Sequence, residues 1–576
     1  MVWSVARRGA VLVAGCLFAL SLAAPAQTRQ LLNYEAIHKP EVGSAGMVVS
    51  QNEAASRAGA QVLRDGGNAV DAAVATAFVL AVTLPRAGNI GGDGFMLIHL
   101  ADGDRYTAID YRSAAPALAT LDAYVGADGG LDGHSAGIRA AGVPGTVAGL
   151  ALAHEKYGRL PWKRLLEPAI EMAGQGIVLT ADEAFALDWG RERLARSAAG
   201  AAVFLRPGGE ALGAGERLVQ PDLAWTLRRI AEHGARDFYR GQIADRLDAG
   251  MRAHGGLLRK QDLAGYQAIE RPALRSTYRG VGVVTMPPAS GGGAGIVGIL
   301  NVLEHFDLPS MGAGSADALH LFAEASKLSW RDRLAHVGDT GFHPVPLRGL
   351  VDKRYAAERA ALVRMDRASP AAEVEAGDPW AHESPQTTHF SVVDADGNVV
   401  SNTYTLGADF GSGVMVEGTG FLLGNLIGNF SLRAQLEARR EGGTAPPNAL
   451  QPGRRPVSSM APTMLVRDGK PWLVTGSPGG NTIPGTIAQT VIDVVDFGMN
   501  VAEATMAPRV HQHMSGEGAL QVERGLSPDT LRLLEGRGHG ISSGQTIGST
   551  QMLLIGPGRV EGAADPRRPG AAAIAQ

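Results

Sequence analysis

The stretch that most restricts the fold is SPQTTHFSVVDADGNVVSNTYTL, Ser384–Leu406. Two runs rich in β-branched residues flank the turn-forming DADGN, and this pattern predicts a β-hairpin. A three-residue loop at Ala395–Gly397 makes Asp394 face Asn398. Residues equidistant from Asp396 then face each other, so Thr387 stands opposite Thr405. Both lie on one sheet face, with Cβ atoms about 5 Å apart. Two facing hydroxyls suit a nucleophile held by a second hydroxyl. Threonine is also a good strand residue, and strand propensity alone accounts for the pair.

A threonine hydroxyl needs a base. One solution makes the residue the first of its chain, so that its own α-amine takes the proton. Such an amine has a pKa of roughly 7.7–8 and is substantially unprotonated near neutrality. Thr387 is internal, so this chemistry requires cleavage of the Gln386–Thr387 bond. Attack of the Thr387 hydroxyl on the Gln386 carbonyl, followed by hydrolysis of the resulting ester, would provide it.

The first residues read as an export signal. Arg7 and Arg8 precede the apolar run AVLVAGCLFALSLAA, and Ala24-Pro25-Ala26 fits a cleavage site. The run is short for a membrane span. Val13-Ala14-Gly15-Cys16 also matches a lipoprotein box, and the arginine pair a twin-arginine signal, which rank below ordinary cleavage. Cys16 is the only cysteine, so cleavage after residue 26 leaves no disulfide, thiolate metal site or cysteine nucleophile. A periplasmic or secreted bacterial protein is the expectation. The net charge of −4 gives no basic footprint for nucleic acid.

Along the chain, DGGNAVDAAVATAFVLAVTLP predicts a buried small-residue helix started by Gly66, Gly67 and Asn68. NIGGDGFMLIHLADGDRYTAIDYR predicts a glycine-rich bend and two strands joined at Ala101-Asp102-Gly103. Residues 142–338 read as mostly helical, and strands dominate after Thr387. Gly293-Ala-Gly295-Ile-Val-Gly298 matches a dinucleotide fingerprint. Pro287 and Pro288 interrupt its join to the preceding strand, so a turn feeding a helix is the better reading. His511 and His513 have no acidic or histidine cluster in sequence around them, which favours a surface or packed pair over metal ligands.

Further segments stand in order: QTTHFS, TYT at 403–405, RPVSSM at 455–460 and GSPGG at 476–480, with PRAGNIGGDGFM, AIDYR, GSTQ and GAADPRR. Together they resemble the γ-glutamyltranspeptidase family of N-terminal nucleophile hydrolases, over nearly all the chain after the signal. The resemblance implies an α+β, four-layer αββα sandwich with a helical large-subunit portion. It implies a proenzyme with a signal (1–26), a large chain (27–386) and a small chain (387–576) that remain together as a heterodimer. Thr387 would be the nucleophile, assisted by Thr405, with the Gly479 and Gly480 N–H groups holding the oxyanion. Arg112, Ser458 and Ser459 would bind the substrate carboxylate, and Asn429 would be a further substrate-binding residue, at a position where the family holds the amine. A structural ion pair is the alternative for Arg112, and a helix cap for the serines. No metal or organic cofactor is implied, no nucleic-acid partner, and no membrane association once the signal is removed. The implied substrates are small γ-glutamyl amides such as glutathione.

The pattern departs where the family holds the substrate amine. Gly407 stands where Asn is usual, Leu426 where Gln or Glu is usual, and Asn429 where Asp is usual. An ammonium beside Leu426 would lack a carboxylate partner, and an unpaired buried charge is expensive. Two alternatives follow. One is an acylase for carboxylate-bearing acyl groups without the amine. The other is a non-catalytic binding module, which the intact Thr387, Thr405, Arg112, Ser458, Ser459, Gly479 and Gly480 argue against.

Overall fold

The computed structural model describes residues 36–379, 391–512, 514 and 518–576. The signal segment with Cys16, the pair Gln386–Thr387, Thr388 and His513 lie outside the described residues.

Within Lys39–Gln576, two seven-stranded antiparallel sheets lie face to face. The first runs Ala572–Ala575, Met47–Ser50, Ser391–Val393, Val399–Thr405, Asp93–Leu100, Arg105–Tyr111 and Ile269–Pro272. The second runs Glu41–Gly43, Arg559–Ala564, Gln551–Gly556, Lys470–Thr475, Thr463–Arg467, Val281–Thr285 and Leu274–Tyr278. The period-2 alternation of each strand separates two cores. Met47, Val49, Phe95, Leu97, Val393 and Val399 face the second sheet. Val48, Met96, Ile98, Val392 and Val400 face outward onto helices that include Glu53–Arg64, Ala69–Thr83 and Thr146–Tyr157. Helices Gly292–Leu303, Ala316–His336 and Ile483–Val495 pack on the second sheet, which completes a four-layer αββα sandwich.

The hairpin has the expected register. Ser391 faces Ser401, Val392 faces Val400, Val393 faces Val399, and the Asp394 N–H donates to the Asn398 carbonyl at 3.1 Å. The Asp394 carboxylate makes the turn: it accepts from the N–H groups of Asp396 and Asn398 and from the Asn398 amide. It also accepts from the Ala69 N–H at 2.9 Å, tying the turn to the start of the Ala69–Thr83 helix. That helix is buried over its whole length, and Asn68 and Asp71 form its capping box.

The 142–338 stretch is mostly helical, but three consecutive strands at 269–285 interrupt it and cross from the edge of the first sheet into the second. The glycines of the 293–298 fingerprint serve packing. The helix Gly292–Leu303 is buried, and a Cβ on Gly298 would lie 2.7 Å from Ser329 Oγ. His511 is packed inside the strand Val510–Gln512. Among the described residues no helix is long and apolar enough to cross a membrane.

Candidate active site

The end of the Val399–Thr405 strand opens into a solvent-accessible cleft of about 1700 Å³, its open mouth included. Thr405, Arg112, Asn429, Ser458, Ser459, Gly479 and Gly480 all line it, so the described members of the expected site converge although they span 369 positions of chain, Arg112 to Gly480. Thr387, the expected nucleophile, lies outside the described residues.

Thr405 stands opposite Asp93 in the ladder with Asp93–Leu100. Its hydroxyl accepts from the Gly407 N–H at 2.9 Å, which aims the side chain along the strand end. Gly407 has φ +96°, and a Cβ there would collide with the Asn425 amide oxygen. That oxygen in turn accepts from the Ala408 N–H at 2.8 Å.

Arg112 follows the Arg105–Tyr111 strand and is 1 % exposed. Its Nη1 donates to both Asp93 oxygens at 2.7 Å, its Nε to the Pro456 carbonyl at 3.0 Å and its Nη2 to Asn429 Oδ1 at 2.7 Å. Burial pushes the Asp93 carboxyl up, against the pull of the Arg112 guanidinium. Donors from Arg112 and the Ser113 N–H converge on both of its oxygens, the environment of an acceptor-only carboxylate. Arg112 is thus a buried ion pair as well as a cleft residue.

Ser458 and Ser459 are held by the start of the Gly292–Leu303 helix. Ser290 Oγ and the Gly291 N–H donate to the Ser458 carbonyl at 2.9 and 2.8 Å. Ser458 Oγ accepts from the Met460 N–H at 3.1 Å, a local backbone cap. Ser459 Oγ accepts from Arg333 Nη2 at 2.8 Å and faces Asn481 Oδ1 at 3.3 Å. Gly479 (φ +130°) and Gly480 (φ +58°) lead into a short 3-10 turn and the Ile483–Val495 helix. Only glycine adopts the first of these readily, and amides at a helix start lack partners within the helix, which leaves them for an anion.

None of the three positions expected to hold a substrate amine presents a carboxylate. Gly407 offers no side chain. Leu426 is 1 % exposed and is not among the residues lining the cleft. The Asn429 oxygen is engaged by Arg112. Asp409 is the one acid lining the cleft among the described residues, and Arg86, Arg193 and Arg568 surround it electrostatically.

Asp93, Arg333 and Asn481 are not singled out by sequence, whereas Asp409, close in sequence to Gly407, stands with Glu417 as an acid able to take over the substrate amine. Asp93 sits in the GGDGF bend, and Arg333 in a segment whose only visible signal is helical spacing.

Residues 55–575 match the model of the γ-glutamyltranspeptidase family. The chain is 44% identical to the glutathione hydrolase proenzyme of Escherichia coli (strain K12) over 566 residues, covering 97% of this chain and 96% of that protein. It is 38% identical to the acylase ACY 1 proenzyme of Pseudomonas sp. (strain V22), over 94% of this chain and 95% of that one. The cephalosporin acylase structure from Bacillus halodurans superposes with a TM-score of 0.84 at 30% identity, covering 95% of this chain and 98% of that chain. Matched over nearly its whole length, the chain belongs to the γ-glutamyltranspeptidase family of N-terminal nucleophile hydrolases.

Proposed function

We propose that the protein is an exported proenzyme that cuts itself between Gln386 and Thr387. The large chain (27–386) and small chain (387–576) stay together, and the new N-terminal threonine hydrolyses or transfers γ-glutamyl groups from small amides such as glutathione. The observation that carries this reading is the convergence of Thr405, Arg112, Ser458, Ser459, Gly479 and Gly480 on one cleft.

The register at Ser391–Val393 is the one from which the sequence pairs Thr387 with Thr405, which supports this reading. The freed Thr387 amine takes the proton of its own hydroxyl, and the oxygen attacks the amide carbonyl. The Gly479 and Gly480 N–H groups stabilise the charge that develops on the carbonyl oxygen. Expulsion of the amine leaves an ester on Thr387, which water or an acceptor amine opens.

A second reading rests on the amine clamp. With Gly407 bare, Leu426 buried and the Asn429 oxygen taken by Arg112, these three positions offer a substrate ammonium no carboxylate, and Asp409, the one acid lining the described cleft, lies within the field of Arg86, Arg193 and Arg568. The preferred acyl group would then carry a carboxylate without the amine, as in glutaryl amides.

Intact mass of the purified protein beside a Thr387→Ala control tests the first step. Two chains, the smaller beginning at Thr387, are expected only without the substitution. Turnover of γ-glutamyl-p-nitroanilide against glutaryl-p-nitroanilide separates the substrate readings. An uncut, inactive chain sinks both.

A further inference from the structure

We propose that Arg333 supplies the positive charge that meets the substrate's acyl carboxylate, because the charge of Arg112 is already matched by Asp93. The inference rests on the reading above and names the residue that gives its site a preference for anionic acyl groups.

Arg112 and Asp93 form a fully buried pair, with both carboxylate oxygens on one guanidinium nitrogen. An incoming carboxylate finds N–H groups there but little net charge. Arg333 differs. It projects from the Ala316–His336 helix, is 8 % exposed and lines the same cleft. Its Nη2 donates to Ser459 Oγ at 2.8 Å, and its guanidinium lies over the Trp330 ring at 4.3 Å. Its Nε has no hydrogen-bond partner, and among the described residues it has no ion pair. The neighbouring Asp332 is taken by Arg359 at 3.0 Å. Burial alone pulls the Arg333 guanidinium down to about 10, so it stays charged at neutral pH. Arg568, also on the cleft, has Asp409 within electrostatic reach.

A buried guanidinium without a counter-ion is costly, and an aromatic face compensates only in part. An anion delivered beside Ser459 relieves that cost each time substrate binds. Ser459 links the two groups, since Arg333 holds its hydroxyl and RPVSSM places it in the expected carboxylate seat.

The test compares processed wild-type enzyme with Arg333→Gln on glutaryl-p-nitroanilide and its methyl ester. Glutamine keeps a donor for Ser459 and removes the charge. The ratio of kcat/KM, acid over ester, is expected to fall at least tenfold, chiefly through KM, and Arg333→Lys to restore part of it. A role confined to holding Ser459 lowers both substrates alike, and an unchanged ratio overturns the inference. Failure of wild-type enzyme to turn over either substrate, or γ-glutamyl-p-nitroanilide, counts instead against the proposed function. Independently of any variant, a crystal of processed wild-type enzyme soaked in glutarate should place a carboxylate oxygen about 2.7–3.0 Å from the Arg333 guanidinium. Glutarate bound elsewhere in the cleft, or absent from Arg333, overturns the proposal.

Discussion

Thr405 stands opposite Asp93 across two antiparallel strands, and the Asp93 carboxylate holds Arg112 with both of its oxygens. A strand pairing thereby locks the expected assisting hydroxyl and the expected carboxylate-binding guanidinium into one frame. Removing only the acid strands a buried cation. Asp93→Ala is expected to destabilise the protein by about 3–5 kcal/mol. The double variant Asp93→Leu, Arg112→Met should recover most of that loss without recovering turnover. Thermal unfolding and anilide hydrolysis on the same preparations check both statements. A double variant as unstable as the single one would mean that the pair is not the source of the loss.

The Thr405 hydroxyl takes the Gly407 N–H at 2.9 Å, which leaves its proton for a neighbouring oxygen. Thr405→Val keeps the shape and deletes the hydroxyl. Self-cleavage and kcat are both expected to fall at least tenfold, or about 1.4 kcal/mol of transition-state stabilisation. Thr405→Ser should restore most of each. Intact mass against time gives the first rate and anilide release the second. A valine variant that cuts and turns over normally would remove Thr405 from the mechanism.

The hairpin register was legible in the sequence because its determinants are local. Asp394 bonds groups two and four residues ahead, at Asp396 and Asn398. The buried helix at 69–83 was legible for the same reason, through Asn68, Asp71 and its small residues. The strands at 269–285 interrupt a helical region, and their partners are far off: Arg271 pairs with Ala108, and Val283 with Leu465. The Arg112–Asp93 pair requires the register that sets Gly94 opposite Tyr111. The bond from Arg333 to Ser459 joins a helix to a loop 126 positions away, and no periodicity announces it.

Asn429 stands where the substrate amine is expected, so its side chain is the one whose charge can be tested. Its oxygen already accepts from Arg112, and Asp at this position could keep that bond while adding a negative charge. Asn429→Asp is expected to raise the ratio of kcat/KM for γ-glutamyl over glutaryl anilide at least tenfold, mainly through KM. An unchanged ratio would place the amine elsewhere, with Asp409 as the next acid to examine.

Gly407 is a different matter, because its backbone is committed. At φ +96° an asparagine is strained, and its Cβ would meet the Asn425 oxygen that fixes Ala408. Gly407→Asn is therefore expected to lower the melting temperature without improving turnover of γ-glutamyl anilide. A stable variant with improved turnover would show that the loop relaxes at small cost.

Acid sensitivity should arise outside the cleft lining, at a pair of buried imidazoles. His320 Nε2 lies 2.8 Å from the Arg364 carbonyl, which can only accept, so this nitrogen carries the proton. His320 Nδ1 is then a lone pair and accepts from His539 Nε2–H at 2.8 Å. A second proton on His320 would set N–H against N–H, whereas one on His539 Nδ1 keeps the bond but buries a charge near Lys327 and Arg537. Glu324, Lys327 and Arg537 complete the charged surroundings. Burial, followed by the Lys327 charge, pulls His539 down to about 3. Its folded-state value lies below the unfolded value of about 6.5, so the unfolded chain binds more protons between those limits. Stability from this group is therefore fully present above pH 6.5 and is lost as pH falls toward 3. The slope approaches about 1.4 kcal/mol per pH unit in the middle of that range. Thermal unfolding from pH 7.5 to 4 should show the decline, and His539→Asn, which keeps a donor but does not titrate, should flatten it. An equally steep decline in the variant would assign the acid sensitivity to other groups.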